Sequence, residues 1–488
     1  MDDTVAFMTA RELVARYRAG DLSPVEATET ALARLERYEP VLNAFQLVDA
    51  EGARAAAKAA EDRWAKGEPA GPLDGVPLTI KDIVLTKGWP TLNGSLTVDP
   101  DQAWDVDCPS VARLREAGAV MLGKTTTPEF GWKGITDSPL AGVTRNPWNP
   151  AHSPGGSSGG AAAALAAGIG NLALGTDGGG SIRIPASYSG LFGIKPTFGR
   201  VPHAPRDSPY TTLSSNGPLA RSVRDAALML GVLALPDTRD GYAIEYVARD
   251  WLDGIDDGVR GLRIGYAPEL GDARPEPEIR ALVDTAVERF AALGATVEEV
   301  GPVFEPLRPR FEQYWVAGFA HILRGIPAEK HDLLDPGFRA LAERGLAVGL
   351  AAYEAAVTAR TALGDAMSAF HRRHDLLVTP TMPTPPPPAA TIYHSAGFDR
   401  WSHATPYTVP FNLTGQPAAS IPCGLTGDGL PVGLQVIGPR FAEAVVLRAC
   451  RAYEAAHGLA QPHAKLLESL AAIAASPDQY GARPETSK

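Results

Sequence analysis

Apolar positions along this chain recur at helical spacing in some stretches and in short strand-like runs in others. Residues 8–19 and 24–38 carry helical periodicity. In the second stretch Val25, Leu32 and Leu35 share one face, with Thr28 a less apolar member of the same stripe. Ser23-Pro24-Val25-Glu26 has the form of a capping box, with proline at the first helical position. Residues 50–66 predict another helix. The run GEPAGPLDG breaks the pattern, and residues 76–80 (VPLTI) have strand character. Residues 108–117 predict a helix, 118–122 a short strand and 123–128 a loop. Residues 129–160 have little periodicity and are rich in Gly, Pro, Asn and Trp. Inside a folded chain such a segment is more often a functional loop layer than a linker.

A Gly/Ser loop at 155–160 then runs into an Ala-rich helix, an apolar strand-like run and a second Gly-rich loop that ends near Ala186. Turns lead on to a helix at 221–234. Residues 262–267, 276–293 and 295–300 have β-α-β spacing, as in a parallel or mixed sheet flanked by helices. Residues 310–375 are mostly helical. A strand beginning at Asp375 runs into TPTMPTPPPP, which is expected to cross the surface in extended form. Strand-like sequence resumes at 418–423 and 431–437, and a last helix covers 441–457. The chain shows no internal repeat.

Composition narrows this picture. The chain has 488 residues, of which 45% are hydrophobic and 21% charged, an ordinary globular balance. The net charge of −11 disfavours a general nucleic-acid binder. The three cysteines, Cys108, Cys423 and Cys450, are far apart and form no CxxC or Cys/His cluster, so neither a disulfide framework nor a metal site is expected. The acidic N-terminus has no signal-peptide core, and no apolar run reaches the ~18 residues of a membrane span. The expectation is a soluble, cytoplasmic protein.

Two features suggest chemistry. Lys81 directly follows the apolar run VPLTI, although an ammonium is costly to bury. Either it pairs with Asp82 or sits exposed at a strand end, or burial lowers its pKa so that it can act as a base. The second feature is Gly178-Gly179-Gly180-Ser181, whose consecutive backbone N–H groups could converge on an oxyanion. The bland alternative is a glycine turn. A serine nucleophile there needs a base. Gly156-Ser157-Ser158-Gly159-Gly160 fits the loose G-x-S-x-G pattern at Ser158, but no strand precedes it as a nucleophile elbow requires. His152 and His203 lie near the glycine loops without a supporting context. A lysine base acting directly on Ser181, or through a hydroxyl such as Ser157, remains, and Lys81 has the best lead-in. Trp132 and Trp148 are candidates to line a pocket, or simply to pack.

The sequence resembles the amidase signature hydrolases. The resemblance rests on GGSSGGAAAALAAGIGNLALGTDGGGSIRIPA, with its glycines, Asp177, Ser181, Arg183 and Pro185. It extends to GVPLTIKD, GKTTTPEFG, GIKPTFGRV, GPLARSVRDAA, PFNLTGQPAASIPCG and GLPVGLQVIG, in family order over roughly residues 8–457. It implies an α/β fold: a central mixed, largely parallel β-sheet covered by helices on both faces, in a single large domain. That domain would span residues 1–474, with a signature core at about 70–235 and a C-terminal part at about 375–457, before a disordered tail at 475–488.

Carried over by position, the resemblance implies Ser181 as nucleophile, Ser157 as a bridging serine in a cis-peptide setting, and Lys81 as base. The oxyanion donors would be the backbone N–H groups of Gly178, Gly179, Gly180 and Ser181. Relatives often carry threonine or isoleucine where Gly178 stands. Gly131 and Trp132 fall at positions that line the acyl pocket. No cofactor and no metal are implied. The partner expected is a small amide, with no nucleic acid and no membrane, and with a homodimer left open. A free-standing amidase acting on apolar or aryl amides or anilides fits the tryptophans and prolines of these loops. Carbamates and nylon-type oligomers are within reach of the same chemistry. The glutaminyl-tRNA amidotransferase A subunit fits less well, because VPHAPRDSPYTTLSSNGPL replaces its serine/phenylalanine-rich run. A non-catalytic binding homologue is disfavoured by the presence of Lys81, Ser157 and Ser181 together.

Overall fold

The computed structural model describes residues 3–206, 209–306, 308–391, 405–458 and 462–476. Thirteen strands lie within them: β1 (Phe45–Val48), β2 (Pro77–Lys81), β3 (Val120–Thr125), β4 (Asp137–Ser138), β5 (Gly142–Val143), β6 (Leu172–Asp177), β7 (Phe192–Lys195), β8 (Ser215–Ala220), β9 (Arg263–Tyr266), β10 (Thr296–Glu299), β11 (Leu376–Pro380), β12 (Ala418–Leu425) and β13 (Pro431–Ile437). Strands β4 and β5 form a small hairpin. The other eleven make one sheet in the order β1-β3-β2-β6-β8-β7-β12-β13-β11-β9-β10.

The sheet is mixed, as expected, but its balance differs. Four ladders are parallel, β3–β2, β2–β6, β11–β9 and β9–β10. The remaining six are antiparallel. The difference comes mainly from β7, β8, β12 and β13, which insert antiparallel between the two parallel groups. Strands β7 (FGIK) and β8 (SNGPLA) carry glycine, proline and polar residues where a buried strand would be β-branched, so their sequence reads as turns.

Alternation along the strands divides the core into two faces. Leu172 and Leu174 of β6 join the cluster beneath helices Pro109–Glu116, Val223–Leu233, Pro277–Ala292 and Glu443–His457. Ala173, between them, packs with Ala161, Ala162 and Leu165 of helix Gly159–Ala166 on the other side. That helix reads GGAAAALA and every residue in it is buried. Only small side chains allow it to lie so close to the sheet.

Strong local signals reappear in the structure. The Ser23 capping box forms, with the Glu26 N–H donating to Ser23 Oγ and the Ser23 N–H to Glu26 Oε2. The helix it starts runs Pro24–Leu42 and buries Thr28, Leu32 and Leu35. The β-α-β unit appears as Arg263–Tyr266, Pro277–Ala292 and Thr296–Glu299. The predicted last helix, Glu443–His457, is followed by another, Ala464–Ala475, which buries Leu466, Leu470 and Ile473. The expected disordered tail falls mostly outside the described residues. The proline-rich stretch does not cross the surface: Thr381 and Met382 are buried. Its Pro387 carbonyl accepts from the Ser153 N–H, and its Ala389 N–H donates to the Ala151 carbonyl.

Candidate active site

The parallel pairing of β2 and β6 brings the C-terminal ends of both strands together. Their register sets Ile80 opposite Leu174, so Lys81 and Thr176 leave the sheet one and two residues past the last pair. Lys81 Nζ lies 3.0 Å from Thr176 Oγ1 and 2.6 Å from Ser157 Oγ. Lys81 is fully buried. Burial penalises its ammonium, and although Asp177 pulls the other way, the pKa falls well below the ordinary 10.5. The bland pairing with Asp82 is not what forms. Asp82 accepts the Leu92 N–H at 3.1 Å and faces a different buried lysine, Lys124, at 3.9 Å.

Ser157 follows a cis Gly156–Ser157 peptide bond. It opens, together with Ser181, Thr176, Gly178 and Gly131, into a cavity of about 530 Å³. Ser158 has a different setting. Its hydroxyl donates to the Thr176 carbonyl (3.2 Å) and accepts the Thr176 N–H (3.3 Å), pinning helix Gly159–Ala166 to β6. Its N–H donates to the Ser181 carbonyl.

The loop that carries Ser181 is held from behind by a buried ionic network. Arg183 Nε and Nη2 donate to the two oxygens of Asp177 at 2.9 and 2.8 Å. The same guanidinium donates to Gln435 Oε1, Asn412 Oδ1 and the Thr408 carbonyl. Burial alone would raise the Asp177 pKa, but Arg183 outweighs it and holds the carboxyl below its usual range. Asp177 also accepts the Gly180 N–H at 2.8 Å. The Gly180 N–H, one of the four expected oxyanion donors, is thus engaged within the loop. Gly180 has φ +128°, and a Cβ there would lie 2.4 Å from Thr408 Oγ1, so only glycine fits.

Gly131 and Trp132 part company. A Cβ on Gly131 would lie 3.2 Å from Ser157 Oγ, which puts this residue against the serine. Trp132 does not line the cavity; its ring packs against Gly337 in the apolar cluster that also holds Trp315. Trp148 is remote as well, with its indole N–H on the Ser189 carbonyl. The aromatic residues that line the cavity are Phe130 and Trp315. Of the two histidines near the glycine loops, His203 reaches the cavity edge, and burial and Arg206 push its pKa down to about 4. Thr176, Trp315, Asn412 and Gln435 carry no sequence signal of their own, because what places them is contact across long chain separations. Among the described residues, no group of acidic, histidine or cysteine side chains could hold a metal ion, and no helix is long and apolar enough to cross a membrane.

The Amidase family profile matches residues 26–447. An acylamidase of Rhodococcus erythropolis is 35% identical over 471 residues, covering 93% of this chain and 96% of that one. The glutamyl-tRNA(Gln) amidotransferase A subunit of Myxococcus xanthus is 36% identical over 476 residues, covering 92% and 97%. Among solved structures, a bacterial aryl acylamidase superposes with a TM-score of 0.87 at 32% identity, covering 95% of this chain and 98% of that one. A 6-aminohexanoate cyclic dimer hydrolase superposes at 0.85 and 31%, covering 94% and 99%. With its profile, its relatives and its fold in accord, the chain belongs to the amidase signature family of amide hydrolases.

Proposed function

We propose that this enzyme hydrolyses apolar or aryl carboxylic amides through an acyl-enzyme on Ser181, with Ser157 as relay and Lys81 as base. The observation that carries the reading is the buried contact of 2.6 Å between Lys81 Nζ and Ser157 Oγ, at the floor of a cavity that Ser181 also lines. Neutral Lys81 takes a proton from Ser157, which takes one from Ser181. Ser181 Oγ attacks the carbonyl carbon, and charge on the carbonyl oxygen is met by the N–H groups of Gly178, Gly179 and Ser181. The proton returns through Ser157 to the nitrogen as the C–N bond breaks and the amine leaves. Water then attacks the ester, and the acid departs.

The walls Ile83, Leu85, Phe130, Trp315 and Ile326 favour an apolar substrate. The aryl acylamidase and cyclic-dimer hydrolase likenesses point the same way. A carbamate or a nylon-type oligomer presents the same acyl carbon and nitrogen leaving group. Ser181→Ala should abolish turnover of every amide in a panel of aliphatic amides, anilides and amino-acid amides, and should lose labelling by a fluorophosphonate probe. Substantial residual turnover in that variant would remove Ser181 from the mechanism. A wild-type enzyme that takes no label would favour a binding role. Ammonia release from glutamine only in the presence of partner subunits would indicate an amidotransferase instead.

A further inference from the structure

We propose that Trp315 forms an aryl subsite beside the oxyanion loop and so determines specificity; this deepens, and rests on, the amide-hydrolase reading above. Trp315 lies on helix Arg308–Arg324, and Ile322, two turns further on, lines the same cavity. The indole edge comes up against the first residue of the oxyanion loop. A Cβ built on Gly178 would be 3.4 Å from Trp315 Cη2 and 3.5 Å from Cζ3. A methyl there would make ordinary contact, whereas a β-branched side chain would compete with the ring for space. A side chain no larger than a methyl at 178 therefore leaves the indole its place beside the reaction centre.

The ring is also held. Its Nε1–H donates to the Trp132 carbonyl at 3.4 Å. Phe311 packs on one side with centroids 5.3 Å apart, and Phe319 meets it edge-on at 5.4 Å. Phe319 contacts Phe338 at 5.2 Å, and Phe338 contacts Phe130 at 5.0 Å. The two ends of this aromatic chain, Trp315 and Phe130, are the ones that line the cavity. Trp315 is only 4% exposed, so what a supported indole offers a flat aromatic ring next to the site of acyl transfer is edge-to-face ring geometry, at little cost in side-chain freedom. An aliphatic amide gains only part of this.

The test compares kcat/KM for benzamide, acetanilide and propionamide in wild type, Trp315→Phe and Trp315→Leu. Expected is an aryl preference in the wild type that falls about tenfold in Trp315→Leu and is largely kept in Trp315→Phe. Benzamide carries the ring on the acyl side and acetanilide on the amine side, so the larger loss shows which half of the substrate meets the indole. An unchanged aryl-to-aliphatic ratio in a folded Trp315→Leu protein overturns the subsite. So does a wild type that cleaves propionamide without preferring either aryl amide, and this leaves the hydrolase reading intact. Failure to cleave any amide, with Ser181 unreactive to fluorophosphonate, overturns the hydrolase reading itself. Should the leucine variant not fold, Trp315→Met fills similar space with a flexible chain and decides the same ratio.

Discussion

At the scale of single residues, the proposed chemistry depends on how a lysine is kept neutral. The hydrogen-bond partners of Lys81 are hydroxyls, those of Ser157 and Thr176, and not carboxylates. Such neighbours solvate an amine almost as well as an ammonium, so burial dominates and the pKa drops below 10.5. In the proposed mechanism the active form is the deprotonated one. Activity should therefore rise with pH through the lowered pKa and reach its plateau before the range in which an exposed lysine titrates. Lys81→Met should lower kcat by about 10²–10⁴-fold. A pH–rate profile of the variant checks the assignment: if the same limb survives in its residual activity, another group titrates.

At the scale of elements, Glu129 ties two segments of the cavity wall to the start of helix Pro336–Leu346. Its Oε1 accepts the Ser95 hydroxyl at 2.6 Å, and its Oε2 accepts the Asp335 N–H at 2.6 Å, at the N-terminus of helix Pro336–Leu346. It directly precedes Phe130, which has φ +49° and donates its N–H to the Asn93 carbonyl. Burial pushes the Glu129 carboxyl up to about 7, against the hydrogen bonds from the Ser95 hydroxyl and the Asp335 N–H; the Asp335 carboxylate adds a little to the rise and Lys133 opposes it. The folded state thus holds this proton more tightly than the unfolded chain does. The contribution to stability is fully present below the ordinary 4.5 and is lost as pH rises through about 7. Glu129→Gln cannot ionise. Between pH 5 and pH 8 the wild type should lose up to about 3 kcal/mol more stability than this variant, as measured by urea unfolding at each pH. Equal losses in the two proteins would show that Glu129 keeps an ordinary pKa.

The elements also show what could be read in advance. Capping boxes and amphipathic helices are local, and the Ser23–Glu26 box and the helix Ala50–Lys66 appear where periodicity puts them. Lys81, Ser157 and Ser181 are legible because each stands in a motif with an unusual local composition. Three partners of Arg183, by contrast, are Thr408, Asn412 and Gln435, more than 220 residues away, and nothing in PFNLTG or GLQVIG taken alone says that a guanidinium needs them. Trp132 and Trp315 show the same limit for the cavity wall. Both are large apolar residues in plausible places, and only the packing of helix Arg308–Arg324 decides which of them lines the cavity.

Across the whole molecule, stability and chemistry draw on different residues. Helix Ala464–Ala475 packs Leu470 into the cluster formed with Leu32, Leu35 and Val120, and none of these lines the catalytic cavity. Leu470→Ala should therefore cost about 2–4 kcal/mol, seen as a lower urea midpoint, while kcat/KM of the folded enzyme stays within about twofold. A matching fall in kcat/KM would mean that the C-terminal helix also shapes the reaction centre. The same separation applies to the β2–β6 ladder. The ladder's last pair, Ile80 with Leu174, anchors the backbone from which Lys81 and Thr176 leave the sheet, and backbone pairing of that kind is not easily shifted by a loop. The cavity walls come from residues 91–99 and from a helix more than 120 positions downstream of β6. Evolution or an engineer can thus recast the walls for a new amide while the reactor beneath them keeps its calibration.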